Sequence, residues 1–344
     1  MGDQVFFFLD GSKKNNAIFN TFVPYEKSLP CTGHRYQTIQ SCNGLICCRT
    51  AYCNPTKYIR DPSTNLCKLI PPPPPTFYVY NPSTKHYKIL LPPPSKKYGF
   101  KEVSNVSLAF DPHKSPHYEV IAIWGDTTDG VQAEIYSSKS ESWKDLGIIS
   151  VCRRKCGLED CGVFWNGALH WFNKYCSLYF DISQKLLKQL PKPDKPKEDL
   201  GHYKSWVVYF GECNGHMHLI KTYRVDVPTS LYILELRKDY SAWNVKYKVN
   251  IEHLTAAYKT EFVLNIHDCF EELDFSVLFV EDNDDDNSED GESKTSNLVI
   301  HVSEHIIFYD LKDMSFKEVK DVHLRKKYPW HRLATPFIES LACV

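Results

Sequence analysis

Residues 162–193 read GVFWNGALHWFNKYCSLYFDISQKLLKQLPKP, and this stretch decides the fold. An apolar run enters Asn166-Gly167, and an alternating aromatic run leaves it. Asn-Gly suits a two-residue type I′ hairpin turn because both turn residues need a positive φ. Two further runs follow at residues 177–182 and 185–190, where prolines end the last one. Four short strands with tight turns predict one antiparallel sheet, the size of a propeller blade.

The blade-like unit recurs along the chain. Asn214-Gly215 lies 48 residues after Asn166-Gly167, and Asn43-Gly44 lies 123 residues before it, about three steps of 41. The closing turn recurs too, since Asp181 and Asp310 are 129 residues apart, or three times 43. Spacings in the low to middle forties predict a radial β repeat.

Length and composition agree with a closed all-β fold. The chain has 344 residues, with 42% hydrophobic and 14% aromatic content. We therefore predict a single domain over residues 1–344, a β-propeller of about six to seven four-stranded antiparallel blades. One terminus of a closed propeller often supplies a strand to the blade built by the other, so we expect residues 5–9 to close the ring.

Charge and hydropathy argue against two classes of partner. The net charge is −1, whereas nucleic-acid binding needs a concentrated basic face. No apolar run approaches the roughly 18 residues that a membrane span needs. The N-terminal residues also lack the features of a signal peptide, so we expect a cytoplasmic or nuclear protein. Its 13 cysteines are then reduced thiols rather than a disulfide scaffold.

A shorter repeat lies in the first third of the chain. YIRDPSTNLCKLIPPPP at residues 58–74 and YVYNPSTKHYKILLPPP at residues 78–94 align at an offset of 20. Asp/Asn-Pro-Ser-Thr is turn chemistry, since the Asx side chain caps the turn and proline presets φ. Each copy predicts strand, turn, strand and a proline stop, and the extra copy is either a decayed duplication or an enlarged loop. The prolines at residues 71–75 also suit a polyproline II ligand for a partner domain.

Two tryptophans are expected to hold neighbouring blades together. Glu141-Ser142-Trp143 recurs as Ser241-Ala242-Trp243, about two blades later. Each tryptophan follows a turn and precedes a polar alternating strand, so we predict that both lie on outer strands and pack against neighbouring blades. We also predict that the three Asn-Gly turns occupy equivalent places in three different blades.

The order of these motifs is similar to that of one plant family. SCNGLICC, YVYNPSTKHYKILLPPP, LAFDPHKSPHYEVIAI, EIYSSKSESWKDLG, GVFWNGALHWF and LYFDI follow one another between residues 40 and 190. This succession resembles the F-box-associated β-propeller region of plant F-box proteins, a kelch-like and galactose-oxidase-like propeller. The resemblance implies a domain that recognises the substrate of an SCF-type ubiquitin ligase.

The resemblance has one departure, and it concerns the adaptor. Family members look like subunits in which an N-terminal F-box grips a Skp-type adaptor while the propeller holds the target. The sequence lacks the Leu-Pro-x-Asp/Glu motif that starts the first helix of an F-box. It also lacks the Leu-Pro-Val-Lys and Cys-Val-Ser-Lys-x-Trp signatures of that domain. We therefore expect the F-box to be absent, the propeller loops to bind a protein target of unknown identity, and the Skp-type adaptor not to bind.

Three histidines have the chemistry of metal ligands. His216 and His218 alternate on a strand after an Asn-Gly turn, and His170 holds the matching position of another blade. A third ligand with diagnostic spacing is missing, so a half-buried strand face is the favoured interpretation.

Four cysteines also have side chains that could bind zinc, namely Cys152, Cys156, Cys161 and Cys176. Their gaps differ from the Cys-x-x-Cys spacing of zinc knuckles, so we predict no metal site. Arg153, Arg154 and Lys155 would lower the pKa of a nearby thiol, but a solvated charged loop is the favoured interpretation.

Residues 281–296 are predicted to form an acidic disordered loop inserted in a late blade. EDNDDDNSEDGE at residues 281–292 holds eight carboxylates between predicted strands at residues 275–280 and 298–302. Self-repulsion favours disorder, and such a segment would also suit recruitment of a basic partner.

The same segment matches a calcium-binding loop in part. Asp282, Asp284 and Asp286 match three ligands of an EF-hand loop. Asn287 and Ser293 stand where such a loop needs glycine and glutamate, so calcium binding is not favoured.

No phosphate loop, nucleophile elbow or zinc-protease helix occurs in the sequence. We predict no enzyme activity, no catalytic residue and no cofactor, and the sequence assigns no individual partner-binding residue. Two alternatives stay open, a propeller enzyme with an axial active site and a free-standing interaction module unrelated to ubiquitination. An enzyme would gather polar groups with shifted pKa values in its axial channel, whereas an adaptor would present apolar and aromatic loops on one face.

Overall fold

The computed structural model describes the strands of the chain and part of its connections. The residues it describes are 5–8, 35–51, 57–60, 63, 67–70, 75–91, 103–127, 130–150, 161–172, 177–194, 205–223, 229–258, 265–267, 270–272, 275–282, 296–302, 305–318, 334–337 and 341–344. Two compact groups of residues can be distinguished, and the division between them falls inside the third four-stranded sheet.

The described residues form 26 strands and one short helix. In chain order the strands are β1 (Val5–Phe8), β2 (Arg35–Cys42), β3 (Leu45–Ala51), β4 (Lys57–Arg60), β5 (Cys67–Ile70), β6 (Phe77–Asn81), β7 (His86–Leu90), β8 (Val103–Ala109), β9 (Glu119–Thr127), β10 (Gly130–Ser137), β11 (Ser142–Ser150), β12 (Val163–Trp165), β13 (Ala168–Trp171), β14 (Leu178–Asp181), β15 (Leu186–Gln189), β16 (Ser205–Cys213), β17 (His216–Tyr223), β18 (Ser230–Leu236), β19 (Trp243–Asn250), β20 (Asn265–His267), β21 (Phe270–Glu272), β22 (Phe275–Asp282), β23 (Ser296–Val302), β24 (His305–Asp310), β25 (Phe316–Glu318) and β26 (Ala334–Phe337). The helix α1 (Glu252–Ala257) lies between β19 and β20. No helix of this described part is long and apolar enough to cross a membrane.

Twenty of the strands form five four-stranded antiparallel blades of a β-propeller. Blade 1 contains β2, β3, β6 and β7, and blade 2 contains β8 to β11. Blades 3, 4 and 5 contain β12 to β15, β16 to β19 and β22 to β25. Strands that are consecutive within a blade are neighbours in its sheet, so each blade is a meander of hairpins. Residues 162–193 supply all of blade 3, which confirms the single sheet predicted for them.

The predicted count of six to seven blades is wrong, because the described residues form five. Asn43 and Asn166 lie in the first hairpins of blades 1 and 3, so their separation covers two blades rather than three. Asp181 and Asp310 likewise end the third strands of blades 3 and 5. The repeat is longer than predicted because the connections between blades are long and unequal.

The tandem copy at residues 58–74 does not add a blade. Its two strands, β4 and β5, form a separate two-stranded sheet inserted between β3 and β6 of blade 1. The second copy supplies β6 and β7, the outer half of that blade. The extra copy is therefore an enlarged loop between the second and third strands.

The two ends of the chain form another small sheet. The predicted N-terminal strand is confirmed as β1, and it pairs with β26. This pair is a two-stranded sheet and not a fourth strand of any of the five blades. Closure of the ring by the N-terminal strand stays a prediction.

Apolar side chains that project from facing sheets form the cores between blades. Blades 1 and 2 share one core, in which Leu45, Val79 and Leu108 are fully buried. Blades 4 and 5 share another, which includes Ile233 and Ile300. The inner strands of a blade are covered on both sides, and this is why they read as continuous apolar runs rather than strict alternation.

Candidate functional site

The connections between strands emerge at two ends of each blade. Because consecutive strands are antiparallel, the first-to-second and third-to-fourth connections lie at one end, which we call the turn end. The second-to-third connections and the links to the next blade lie at the other end, which we call the connection end. The two ends differ in chemistry, and this difference locates the candidate site.

The Asn-Gly turns lie at the turn end of three blades. Asn43-Gly44, Asn166-Gly167 and Asn214-Gly215 each join the first and second strands of their blade. All six residues have positive φ, between 45° and 87°, as a type I′ turn requires. The prediction that these turns occupy equivalent places in three different blades is confirmed.

The turns between third and fourth strands share a conformation that the sequence analysis missed. Each one contains a non-glycine residue with φ between 50° and 61°, namely Lys85, Glu141, Lys185, Tyr240 and Met314. In blades 1, 3 and 5 the turn begins four residues earlier with an Asn or Asp whose side chain accepts backbone N–H groups of the turn. The Asx residues Asn81, Asp181 and Asp310 had already predicted these turns, but no residue type marked the left-handed position four residues later.

The connection end carries most of the long segments. Twelve residues separate β7 from β8, and twelve more separate β11 from β12. The links after β3 and β19 are longer still, and they contain the hairpin of β4 and β5 and the helix α1 with the hairpin of β20 and β21. Long connections on a rigid scaffold are where proteins usually place binding residues.

Exposed apolar side chains also occur at the connection end. Leu91 is 72% exposed, Ile148 is 57% exposed and Val207 is 42% exposed, each near the end of a strand. Leu186 and Met314 are comparable residues of the turn end, at 54% and 49%. Both ends therefore offer apolar contacts, which makes matched substitutions possible.

The two predicted tryptophans connect adjacent blades. Trp143 and Trp243 lie on β11 and β19, the outermost strands of blades 2 and 4, as predicted. The indole Nε1 of Trp143 donates to the carbonyl of Leu91 at 2.8 Å. Nε1 of Trp243 donates to the carbonyl of Pro191 at 3.0 Å. The two carbonyls lie one and two residues past the outermost strand of the preceding blade, so a similar contact recurs two blades later.

Two cysteines next to Asn-Gly turns make a second repeated contact. The thiol of Cys42 donates to the carbonyl of Phe110 in blade 2 at 3.5 Å. The thiol of Cys213 donates in the same way to the carbonyl of Val280 in blade 5. In both places the sequence reads Cys-Asn-Gly, so this tripeptide combines a turn with a thiol contact between blades.

The first strands of blades 1 and 2 bind each other through a side-chain amide. Gln40 donates from Nε2 to the carbonyl of Leu108 at 2.9 Å, and its Oε1 accepts the N–H of Leu108 at 2.7 Å. The backbone N–H of Gly162 donates to Oγ of Ser107 at 2.8 Å. These polar groups are occupied by hydrogen bonds within the protein.

The three histidines are held by different partners. His170 is fully buried, and its Nδ1 lies 3.1 Å from the carbonyl of Val163. Burial lowers the pKa of His170 to about 4, so the ring is neutral at pH 7. Among the residues with a described position, no group of three or more His, Cys, Asp or Glu side chains is arranged to hold a metal ion.

His216 and His218 flank a carboxylate in blade 4. Nδ1 of His216 lies 2.6 Å from Oε1 of Glu235, and Nε2 of His218 lies 4.0 Å from Oε2. Nζ of Lys246 lies 3.2 Å from the same Oε2. Burial alone would raise the pKa of Glu235, but His216 and Lys246 lower it below its ordinary value. The cluster is an ion-pair network across the second, third and fourth strands.

Of the four cysteines considered as zinc ligands, the structure describes only Cys161. Cys161 donates its thiol to the carbonyl of Ile39 at 3.0 Å. Cys152, Cys156 and Cys176, together with Arg153, Arg154 and Lys155, lie outside the described residues. Burial raises the pKa of Cys48 to about 12, which keeps this thiol protonated and unreactive at neutral pH.

The acidic segment joins the first and second strands of blade 5. The strands predicted on either side are confirmed as β22 and β23, which pair from Phe275 to Asp282 and from Ser296 to Val302. Residues 283–295, with the EF-hand positions Asp284, Asp286, Asn287 and Ser293, lie outside the described residues, as do prolines 71–74.

The central part of the chain is similar to a known family. Residues 66–207 match the family described as the F-box associated beta propeller domain. An F-box protein of Arabidopsis thaliana is 28% identical over 229 residues, which cover 63% of this chain and 52% of the relative. The chain thus spans about half the length of the curated relative it matches.

Solved structures give only a distant likeness. A glycoside hydrolase is 10% identical over 85% of this chain and 64% of that chain, with a TM-score of 0.35. TolB from Acinetobacter baumannii is 9% identical over 71% of this chain and 50% of that chain, with a TM-score of 0.30. Scores this low carry no argument about fold or function, and the description of the fold therefore depends on the strand topology alone.

Proposed function

Because this chain carries an F-box-associated β-propeller, the family that residues 66–207 match, we propose that it is a protein-binding module that holds a target at its connection end. The module is similar to the substrate-recognition regions of F-box proteins. In this proposal the blades supply a rigid scaffold and the connections supply the contacts.

The difference between the two ends of the blades carries the proposal. The turns between third and fourth strands share one backbone conformation, and the Asn-Gly turns leave only two residues to present to a partner. Most of the long links lie at the connection end, with the acidic link at residues 283–295 as an exception at the turn end, and the connection end also exposes Leu91, Ile148 and Val207. Varied links with exposed apolar groups are the composition expected of a recognition surface.

The link to ubiquitination is the finer part of the proposal. By analogy with the family, the bound target would be a substrate of an SCF-type ubiquitin ligase, whose Skp-type adaptor binds an F-box. The F-box signatures are missing from residues 1–344. We therefore expect residues 1–344 to hold a target without themselves binding the adaptor.

Polar groups of the first strands favour binding over catalysis. An enzyme of this architecture would need polar side chains that converge on a substrate. Gln40, Ser107 and the thiol of Cys161 instead donate to or accept from groups within the protein. The alternative is a free-standing interaction module with no link to ubiquitination. If that alternative holds, the proteins that bind this chain will not include a substrate of the ubiquitin ligase.

The proposed compartment is the cytoplasm or the nucleus. The described cysteines Cys42, Cys47, Cys48, Cys161, Cys213 and Cys343 are free thiols. Free thiols that serve as hydrogen-bond donors between blades suit a reducing compartment.

Affinity purification of the tagged chain from plant extract, followed by mass spectrometry, tests the proposal. The connection-end variant combines Leu91→Ser with Ile148→Ser, and the matched turn-end control combines Leu186→Ser with Met314→Ser. We expect the target to be recovered with the wild type and the control but lost with the connection-end variant. Equal recovery with both variants would show that the target does not bind at the connection end.

A further inference from the structure

The first turn of blade 2 differs from its counterparts at the turn end. Blades 1, 3 and 4 join their first two strands through two-residue Asn-Gly turns. In blade 2, β8 ends at Ala109 and β9 begins at Glu119, so nine residues lie between them. The structure describes all of this turn, residues 110–118, which reads FDPHKSPHY. A long connection on a rigid scaffold is a common location for functional residues.

Both ends of this turn are anchored in the protein. Phe110 is buried, and its carbonyl accepts a hydrogen bond from Nδ2 of Asn43 at 2.7 Å. At the other end Tyr118 is buried, and its N–H donates to Oγ of Ser138 at 2.9 Å. The residues between these two anchors are therefore held in place at the surface.

Hydrogen bonds within the turn order its middle part. The carbonyl of Asp111 accepts the N–H of Ser115 at 3.0 Å, and Oδ1 of Asp111 accepts the N–H of His113 at 3.2 Å. Oγ of Ser115 accepts the N–H of His117 at 3.0 Å. The Ser115 hydroxyl makes no other hydrogen bond with the described part of the chain, so its proton is not held by a neighbouring acceptor there.

The tip of the turn is open to solvent. Ser115 is partly exposed and belongs to neither a helix nor a strand. The residues around it are fully exposed, namely Pro112, His113, Lys114, Pro116 and His117. An enzyme can therefore reach the Ser115 hydroxyl without separating two blades.

The residue after Ser115 indicates which class of enzyme would act there. Pro116 has no backbone N–H. A protein kinase that offers no acceptor at this position leaves the N–H of any other residue unsatisfied, and it therefore selects a serine or threonine that precedes proline. Proline also disfavours a helical backbone at the preceding residue, which keeps Ser115 extended.

The chain contains its own comparison for this motif. The sequence has only one other serine or threonine before a proline, at Thr335-Pro336. Thr335 lies within β26, which is paired with β1. This segment would have to leave its sheet before it could enter an active-site cleft. Ser115 lies outside any sheet and has no such requirement.

The charges beside Ser115 suit a phosphate group. Nζ of Lys114 lies 3.0 Å from Oδ2 of Asp111, and the Lys114 side chain is 69% exposed. A phosphoserine carries about −1.5 to −2 charges at pH 7, so it would attract this ammonium group more strongly than one carboxylate does. The N–H of His117, which already donates to Oγ, can donate to a phosphate oxygen. Asp111 would lose part of its pairing with Lys114 but would keep the N–H of His113.

We propose that Ser115 is a phosphorylation site for a proline-directed protein kinase. In this reaction Oγ of Ser115 attacks the γ-phosphorus of ATP and its proton passes to a base of the kinase. The bond between the γ-phosphorus and its bridging oxygen breaks, and ADP leaves. The inference goes beyond the proposed function, because Ser115 lies at the turn end and the target is proposed to bind at the connection end.

Incubation of the folded full chain with ATP and a purified mitogen-activated protein kinase tests the inference directly. Mass spectrometry of the intact chain and of its peptides gives the number and position of the phosphates. We expect one phosphate on Ser115 and none on Thr335. Pro116→Ala should slow the reaction about tenfold or more, whereas Pro112→Ala, at the other exposed proline of the turn, should leave the rate within about twofold of the wild type.

A pair of substitutions at the serine itself completes the test. Ser115→Ala should abolish phosphorylation, and Ser115→Thr, which keeps a hydroxyl, should retain it. Circular dichroism shows whether each variant is folded. The tagged chain purified from plant cells in the presence of phosphatase inhibitors should carry the same phosphate.

Four results would overturn the inference. They are the absence of phosphate from Ser115 in the folded wild type, modification of Thr335 as fast as Ser115, equal rates for Pro116→Ala and Pro112→Ala, and an unmodified Ser115 in the chain from plant cells. Capture of a target by the chain enters none of these measurements, so failure of the proposed function would leave their outcome unchanged.

Discussion

Replacement of Trp243 by alanine should destabilise the protein strongly. Trp243 is 5% exposed and begins the outermost strand of blade 4. Its ring centroid lies 6.5 Å from that of Phe210, and its Nε1 donates to the carbonyl of Pro191 at 3.0 Å. The substitution removes the contact with the inner strand and the hydrogen bond to the end of β15 together.

The expected loss follows from these two contributions. Truncation of a buried tryptophan to alanine costs about 3 to 5 kcal/mol of unfolding free energy. The hydrogen bond accounts for about 0.5 to 1.5 kcal/mol of that sum, so Trp243→Phe should cost about 1 to 2 kcal/mol. Trp143 is only half-buried, and Trp143→Ala should therefore cost less than Trp243→Ala.

Urea unfolding followed by far-UV circular dichroism measures these differences. Val245→Ala is the matched control, because Val245 lies on the same strand and is 57% exposed. We expect the midpoint to fall in the order Val245→Ala, Trp243→Phe, Trp243→Ala. If Trp243→Ala unfolded at the same urea concentration as Val245→Ala, the indole would not hold the blades together and the reasoning would be refuted.

Three further predictions can be checked with the same protein. Burial lowers the pKa of His170 from 6.5 to about 4, so the folded state disfavours the charged ring. The free energy of unfolding should therefore fall by about 3 kcal/mol as the pH drops from above 6.5 to 4. His170→Gln should remove this loss, as measured by urea titrations at several pH values. Met314 has a φ of 59°, so Met314→Gly should raise the unfolding free energy by about 0.5 to 1 kcal/mol. Gly215→Ala, at a φ of 76°, should lower it by about 1 kcal/mol. The midpoints of urea unfolding should therefore shift in opposite directions. A purified Skp-type adaptor should not be retained by residues 1–344 on a column, and retention near one to one would contradict the proposal that this segment binds the target alone.

Local turn chemistry made part of the fold predictable. Asn-Gly specifies a hairpin through its own backbone preferences, so Asn43, Asn166 and Asn214 could be placed without knowledge of distant residues. Trp143 and Trp243 could be placed on outer strands because each follows a turn and precedes a polar alternating strand. The number of blades could not be obtained in this way, since spacings between turns add the unequal lengths of every connection.

Contacts between distant residues account for the features that sequence did not predict. The carbonyl that accepts the thiol of Cys42 belongs to Phe110, 68 residues away, and no local pattern identifies it. Lys85 adopts a left-handed conformation that non-glycine residues take only in particular turns. The register between β16 and β17 also could not be predicted, because a bulge after Val207 shifts it by one residue.

The pairing of β1 with β26 has a consequence for the order of folding during synthesis. Each blade is a meander of neighbouring strands, so its hairpins can form within microseconds once they leave the ribosome. β1 is made before the five blades, but its partner β26 begins at Ala334, after all of them. The first strand must therefore stay unpaired until every blade has been synthesised. We expect this long-range pairing to be the slowest of the described sheet contacts to form, because it closes the longest loop among them and so has the largest entropic cost.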